Sequence, residues 1–170
     1  LLYYLLFYVF MDIRKLSFND SKSLQRLFLA EKNLKDTGVN VKHNKITKKF
    51  MRGWLKERIK MYNLKNPLYI VYAVVNKQKK IIGTIGLDNI NYKNKSAIIG
   101  GWIAKKYSGK GYCTSAIRLF LEKAKKLFCL KMVYAETSKT NIASYKVLEK
   151  NGFKTRKTLK GQFLFEKCLM

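Results

Sequence analysis

The chain is poor in several residue types, and each shortage argues against a class of protein. Among its 170 residues there are one proline, one histidine, three cysteines and ten acidic residues. One proline and no Ser/Pro/Gly-rich stretch leave no candidate linker, so we expect one domain. The cysteines lack the C-x-x-C spacing typical of zinc sites, and their odd number is untypical of a disulfide framework. We therefore expect no metal, and a cytoplasmic location.

The shortage of histidine also limits the chemistry. The single histidine, His43, stands between Lys42 and Asn44 in a polar stretch. This context is typical of a loop residue, and it argues against a Ser–His or Cys–His catalytic pair.

Acidic residues are outnumbered by 36 lysines and arginines, which gives a net charge of +26. One interpretation is a nucleic-acid ligand. The alternative is a lysine-rich solvated surface of the kind that an AT-rich genome encodes. The basic residues are spread along the chain, which favours the second interpretation, so we do not expect nucleic acid as a specific ligand. The charge favours anionic ligands and argues against polyamines as substrates.

Long apolar runs are also missing, except near the beginning of the chain. Residues 1–10 are almost wholly apolar but too few to span a bilayer as a helix, and no basic segment precedes them as in a signal peptide. We expect translation to start at Met11, a single domain at residues 11–170, and an apolar extension at residues 1–10 that is not part of the native fold. A fragment of a membrane anchor is the alternative, but we expect no membrane association.

Apolar periodicity predicts eleven elements in the order β-α-α-β-β-β-α-β-α-β-β. The predicted strands are 11–16, 68–75, 81–89, 97–104, 132–136, 153–158 and 162–168. The predicted helices run from a cap at Asn19 or Asp20 to about residue 33, from 47 to 62, from 112 onward, and from 141 to 150. This order predicts an α+β fold: a mixed, mostly antiparallel central sheet of about seven strands with helices on both faces.

The most informative segment is residues 106–112, KYSGKGY, at the junction of a predicted strand and a predicted helix. Glycines at 109 and 111 let the backbone approach a ligand closely and orient successive N–H groups. The following helix adds its unpaired first-turn donors and the positive end of its dipole. The segment therefore predicts a phosphate or pyrophosphate site.

Four segments in this order resemble the GNAT acetyltransferase superfamily, nearest the branch of ribosomal-protein N-terminal acetyltransferases. They are IGTIGL at 82–87, IGGWI at 99–103, YSGKGY at 107–112, and Asn141-x-x-Ser144 followed by EKNGF at 149–153. The resemblance covers nearly all of residues 11–170. It implies the acyl-CoA N-acyltransferase fold, with acetyl-coenzyme A as co-substrate and no metal.

The resemblance also implies roles for particular residues. Lys106, Gly109 and Gly111 match the family's phosphate-loop pattern, with lysine in place of Gln or Arg. The strand carrying Trp102 and Ile103 would pair with the pantetheine arm of the coenzyme. The expected cofactor-binding residues are Trp102, Ile103, Ala104, Lys106, Gly109, Lys110, Gly111, Tyr112, Cys113, Thr114, Asn141 and Ser144.

Two residues are expected to be catalytic. Glu136 matches the position of a base in some family members, although a solvated surface glutamate is an equally good interpretation. Many relatives use a tyrosine seven residues after the asparagine, but Leu148 stands there. Ser144 is therefore the expected acid, and the alternative is a helix residue that only bonds the coenzyme or the preceding turn. Ile98 and Ser115 likewise stand where glutamate is common.

The resemblance therefore implies an N-acetyltransferase that moves an acetyl group from acetyl-CoA to a primary amine by direct transfer. The acceptor is a protein N-terminus or a small-molecule amine. Two alternatives remain: an acyl-CoA-binding module with weak or no catalysis, and a basic ribosome- or RNA-associated protein.

Overall fold

The computed structural model describes residues 10–37 and 39–169. The segment predicted to be an apolar extension lies outside these residues, except for Phe10. The strands are β1 (Met11–Lys15), β2 (Ile70–Asn76), β3 (Ile81–Asn91), β4 (Ser96–Ile103), β5 (Met132–Ser138), β6 (Lys154–Leu159) and β7 (Gln162–Cys168). The helices are α1 (Ser21–Ala30), α2 (Lys48–Met61), α3 (Tyr112–Phe128) and α4 (Ile142–Lys150). Short 3-10 turns at Phe18–Asp20, Leu34–Thr37, His43–Lys45 and Lys105–Tyr107 join them.

The strands form one seven-stranded sheet in the order β1-β2-β3-β4-β5-β7-β6. Strands β4 and β5 are parallel, whereas every other neighbouring pair is antiparallel. A parallel pair needs a crossover connection, and α3 supplies it. The mixed, mostly antiparallel sheet expected from the sequence is therefore confirmed.

Helices pack on both faces of this sheet, also as expected. Along β2, Tyr72 and Val74 belong to one core cluster, and Ala73 and Val75 belong to the other. This alternation with a period of two puts an apolar layer on each face. The first cluster contains the buried side of α3, including Phe120, and we call this side of the sheet the α3 face. The second contains buried residues of α1 and α2, and we call it the α1/α2 face.

One predicted helix boundary is wrong. Helix α1 ends at Ala30 rather than near residue 33, and Glu31 adopts an extended conformation. Glu31 makes contacts away from the helix: its carboxylate accepts the N–H of Lys105 at 2.9 Å, and its carbonyl oxygen lies 2.6 Å from the ring Nε2 of His43. These tertiary contacts override the helical pattern of the sequence.

Glycines in the central strands allow close strand approach. A Cβ atom at Gly83 would overlap the carbonyl oxygen of Trp102, and one at Gly101 would lie 2.9 Å from that of Thr84. The strand register also shifts between Val74 and Val75, where β2 pairs with β3. Glycines inside a strand pattern predict bulges or close backbone contacts, and the central strands contain both.

A partly buried ion pair joins β1 to the start of α1. The Arg14 guanidinium donates to both carboxylate oxygens of Asp20, at 2.8 and 2.7 Å, and the Ser17 N–H donates to one of them at 2.8 Å. Asp20 is 5% exposed. Burial alone would raise the pKa of this carboxyl, but the bonds from Arg14 and Ser17 outweigh it and hold the pKa below its ordinary value.

We expect Asp20→Asn to lower the free energy of unfolding by about 2 kcal/mol at pH 7, because charge-assisted hydrogen bonds are lost. A carboxyl with a depressed folded pKa stabilises the protein above its unfolded pKa, which is about 4, and loses that contribution as the pH falls through the folded value. Urea unfolding from pH 7 to pH 3 should show the two proteins converging at low pH. Asp12→Asn is the control, because its contact with Lys79 is exposed and 3.8 Å long. A constant difference across the pH range would contradict this account.

Candidate active site

The candidate site begins where β4 and β5 stop pairing. Their register runs over only three pairs, from Ser96 with Met132 to Ile98 with Tyr134. Beyond that point β4 continues to pair with β3 up to Ile103, and β5 continues to pair with β7 up to Ser138. The two strands therefore diverge, and a gap opens within the sheet.

The backbone of β4 presents polar groups to this gap. The N–H of Ala104 donates to the carbonyl oxygen of Ile82, toward β3. Because N–H and C=O groups alternate in direction along a strand, those of Gly101 and Ile103 point to the opposite edge, toward the gap. These groups can hydrogen-bond an extended ligand that lies in the gap.

The glycine loop lies beside the same gap. Gly109 and Gly111 adopt left-handed conformations with φ of +76° and +79°, and Gly111 is the N-cap of α3. A β-carbon disfavours this backbone conformation, which accounts for glycine at both positions. The first-turn N–H groups of α3 have no acceptor within the helix, so the loop and helix together form an anion-binding corner.

These features surround one cleft of about 450 Å³, which we call the loop cleft. Helix α4 contributes its first turn, where the Asn141 side chain accepts the N–H of Ser144 at 3.0 Å. Asn141 thus caps the start of α4, and Ser144 lines the loop cleft. The predicted site residues that line the loop cleft are Trp102, Ile103, Gly109, Gly111, Tyr112, Cys113, Thr114, Asn141 and Ser144.

Four predicted site residues do not line the loop cleft. Ala104 is buried against α1 and α2. Lys106 is exposed, and its ammonium lies 5.1 Å from the centre of the Tyr107 ring. Lys110 is exposed as well. Glu136 is exposed on β5. The preceding residue, Ala135, belongs to the core on the α3 face, so strand alternation puts Glu136 on the α1/α2 face.

Leu148, at the position where many relatives have a catalytic tyrosine, is 5% exposed and belongs to the core on the α3 face. The nearby Tyr145 ring packs on Phe163 and Phe165, with ring centres 5.1 and 5.2 Å apart. Of these α4 residues, Ser144 is the one that lines the loop cleft and has a hydroxyl.

A second cavity of about 400 Å³ lies on the α1/α2 face of the sheet, and we call it the helix cavity. It meets the loop cleft at Gly101, which lines both, and Gly100 beside it has open space where a Cβ would stand. The side chains that line the helix cavity include those of Thr37, Trp54, Arg58, Tyr69 and Asp88.

The sequence reasoning missed this cavity. The apolar stripe of α2 predicts that Trp54 packs in the core, and the structure shows it half-buried, packed on Phe28 and lining the cavity. The spacing of Trp54 and Arg58 was the available signal, because residues four apart lie on the same side of a helix. Burial lowers the pKa of the Arg58 guanidinium, which is a sign of its partly desolvated environment.

In residues 10–37 and 39–169, no group of three or more His, Cys, Asp and Glu side chains is placed to hold a metal ion. Within the same residues, no helix combines the length and apolar character that crossing a bilayer requires.

Residues 12–154 match the acetyltransferase (GNAT) domain family. The match covers most of the chain, and the chain belongs to this family. It is 36% identical over 75 residues to the probable N-acetyltransferase YjcK of Bacillus subtilis (strain 168), a match covering 44% of this chain and 41% of that protein. The matched stretch therefore spans less than half of this curated relative's length.

Solved structures show the same fold. RimJ of Mycobacterium smegmatis, in complex with a coenzyme A disulfide, has a TM-score of 0.84 at 16% identity, over 94% of this chain and 82% of that chain. The ribosomal-protein-S5-alanine acetyltransferase from Vibrio fischeri has a TM-score of 0.80 at 23% identity, over 93% and 92%. These neighbours include the ribosomal-protein branch that the sequence resembles.

The cysteine of the cleft should be unreactive. Burial raises the pKa of Cys113 to about 11, whereas Cys129 and Cys168 are exposed. Only the thiolate is nucleophilic, so at pH 8 we expect Cys113 to react with iodoacetamide about a hundredfold more slowly than the exposed pair. Peptide mass spectrometry after timed alkylation measures the three rates. Equal rates at pH 8 would show that the α3 terminus stabilises the thiolate as much as burial disfavours it.

Proposed function

We propose that this protein is an acetyl-CoA-dependent N-acetyltransferase that acts on primary amines. The observation that carries the proposal is the divergence of β4 and β5 beside the glycine loop, because it puts an unpaired strand edge and an anion-binding corner in one cleft. Family membership supports the same activity. We also propose that residues 11–170 form a single domain.

The residues of the loop cleft fit this co-substrate. Gly109, Gly111 and the first-turn amides of α3 would hold the pyrophosphate, since left-handed glycines leave the backbone open to phosphate oxygens. The outward groups of Gly101 and Ile103 would bond the extended pantetheine arm. Acetyl-CoA supplies an activated acetyl thioester when it is bound.

Transfer forms one N–C bond and breaks one C–S bond, so the amine must lose a proton and the sulfur must gain one. We propose that Glu136 accepts the amine's proton. It is exposed on the α1/α2 face, two residues beyond the last β4–β5 pair, so a bridging water would complete its path to the amine. We propose that the Ser144 hydroxyl, in the lining of the loop cleft, donates the proton to sulfur.

The acceptor is a protein N-terminal amine or a small-molecule amine. The ribosomal-protein-S5-alanine acetyltransferase from Vibrio fischeri shares the fold, which supports a protein acceptor. The helix cavity, which meets the loop cleft at Gly101, is the place where we propose that either acceptor enters.

A second candidate is a module that binds acyl-CoA without transferring the acetyl group. The buried Leu148, in place of a catalytic tyrosine, and the exposed Glu136 favour it. A thiol-release assay with mixed primary amines separates the two candidates. Coenzyme binding without turnover on any amine would support the binding module.

We expect Gly111→Glu to abolish acetyl-CoA binding. The change adds a side chain at φ +79° and brings a negative charge to the corner proposed for the pyrophosphate. Isothermal calorimetry should show at least a hundredfold loss of affinity. Gly161→Glu is the matched control, because Gly161 has φ +82° in the turn between β6 and β7, away from the cleft lining. Unchanged affinity at position 111 would overturn the loop assignment.

We expect Glu136→Gln to lower kcat about 10²-fold or more while changing acetyl-CoA affinity less than threefold, because the amide cannot accept a proton. Steady-state rates from pH 6 to pH 10 should show the variant recovering at high pH, where the free amine is abundant. The exposed Glu149 on α4 offers a control substitution to Gln. Wild-type rates across the pH range would remove Glu136 from the mechanism.

A further inference from the structure

Arg58 is a charged side chain of the helix cavity that lies among aromatic rings. Its guanidinium carbon lies 3.8 Å from the centre of the Trp54 ring and 5.9 Å from that of Tyr69. Nη1 donates to the carbonyl oxygen of Trp54 at 3.2 Å. Nε is buried and has no hydrogen-bond partner. The aromatic rings therefore fix the plane of a cation whose hydrogen-bonding capacity is only partly used.

The charge of Arg58 is also not balanced by a neighbouring ion pair. Among the side chains that the structure describes, the salt bridges are Arg14–Asp20, Lys79–Asp12 and Arg156–Glu166. Asp88 lines the same cavity, but it is exposed, forms no salt bridge with Arg58, and accepts the N–H of Asn89 at 2.8 Å. A partly desolvated guanidinium gains most from a carboxylate or phosphate that its planar fork can bond.

The cavity relates this cation to the proposed point of acetyl transfer. Arg58 and Gly101 line the same space of about 400 Å³, which is about 9 Å across if taken as a sphere. Gly101 also lines the loop cleft, where its backbone faces the gap between β4 and β5. A ligand whose anionic group bonds Arg58 can thus place its amine near Gly101, provided that only a few covalent bonds separate the two groups.

We propose that Arg58 is a specificity residue for the acceptor, which is a primary amine that also carries a carboxylate or phosphate group. The inference rests on the proposed acetyl transfer and adds the chemical class of its acceptor. Arg58, held by Trp54, bonds the oxyanion and orients the amine toward Gly101. The net charge of +26 attracts anions to the whole surface, so the test must separate Arg58 from this general field.

The test uses matched acceptors that differ in one charge. The first pair is γ-aminobutyrate with 4-aminobutanamide, and the second is the C-terminally amidated peptides Ala-Glu-Ala-Ala and Ala-Gln-Ala-Ala. We expect wild type to prefer the anionic member of at least one pair by about tenfold or more in kcat/KM, because the neutral isostere leaves the guanidinium unpaired. A preference within the first pair identifies a small-molecule amine as the acceptor, and a preference within the second pair identifies a protein N-terminus.

Variants then assign the preference to one side chain. Arg58→Gln should reduce the ratio to within about threefold of unity, and Arg58→Lys should leave an intermediate ratio, because lysine keeps the charge but loses the planar fork. Arg52→Gln, an exposed position on the same helix, is the control for net charge and should keep the wild-type ratio. Asp88→Asn should raise affinity for the anionic member by removing an opposing charge. Thermal melting and acetyl-CoA affinity establish that each variant is folded.

Calorimetry with each anionic probe, on protein saturated with coenzyme A, distinguishes the two proposals. Turnover without discrimination in either pair, or a ratio that survives Arg58→Gln, overturns the specificity inference and leaves acetyl transfer standing. If no amine is acetylated, but an anionic probe binds wild type and does not bind Arg58→Gln, acetyl transfer is overturned and the anion site is supported. Failure of both probes to bind or react overturns the anion site.

Discussion

The parallel pairing of β4 with β5, and its end after three residue pairs, determines where every other feature of the site lies. A parallel pair requires a crossover, so α3 has to begin near the end of β4. The same divergence leaves the outward backbone groups of Gly101 and Ile103 without a strand partner. Backbone N–H and C=O groups are strong hydrogen-bonding groups, so this unpaired edge is receptive to an extended ligand. The strand edge and the helix terminus are therefore adjacent for one topological reason.

Much of this arrangement could be predicted from the sequence because its signals are local. The glycines at 109 and 111 and the apolar period of α3 predicted the loop and the helix, and the period-two pattern located β7 from Gln162 to Cys168. The direction of a side chain relative to the loop cleft was harder to predict from the sequence. Lys106 follows the family pattern in sequence, yet it lies over Tyr107 rather than in the cleft lining. Its direction depends on the 3-10 turn at Lys105–Tyr107, which has no strong sequence signature.

The helix cavity illustrates a different limit. A tryptophan on an apolar stripe predicts core packing, and Trp54 does pack on Phe28. Two glycines leave room for the cavity on the opposing strands: Gly86 and Gly100 pair across β3 and β4, both line it, and neither has a side chain. Whether a half-buried aromatic ring meets a side chain or an empty space depends on the strand register. Since register is a long-range property, the periodicity of α2 alone could not predict it.

The distribution of charge gives the two cavities different roles in recognition. Most lysines of this chain are exposed, and in physiological salt their fields decay within about 8 Å, so they attract anions without selecting among them. Arg58 differs because Trp54 fixes its plane and the surrounding protein removes part of its water. A fixed, partly desolvated guanidinium distinguishes a carboxylate from its amide, whereas a hydrated lysine does so weakly. The general charge therefore speeds encounter, and in our proposal the choice of acceptor depends on Arg58.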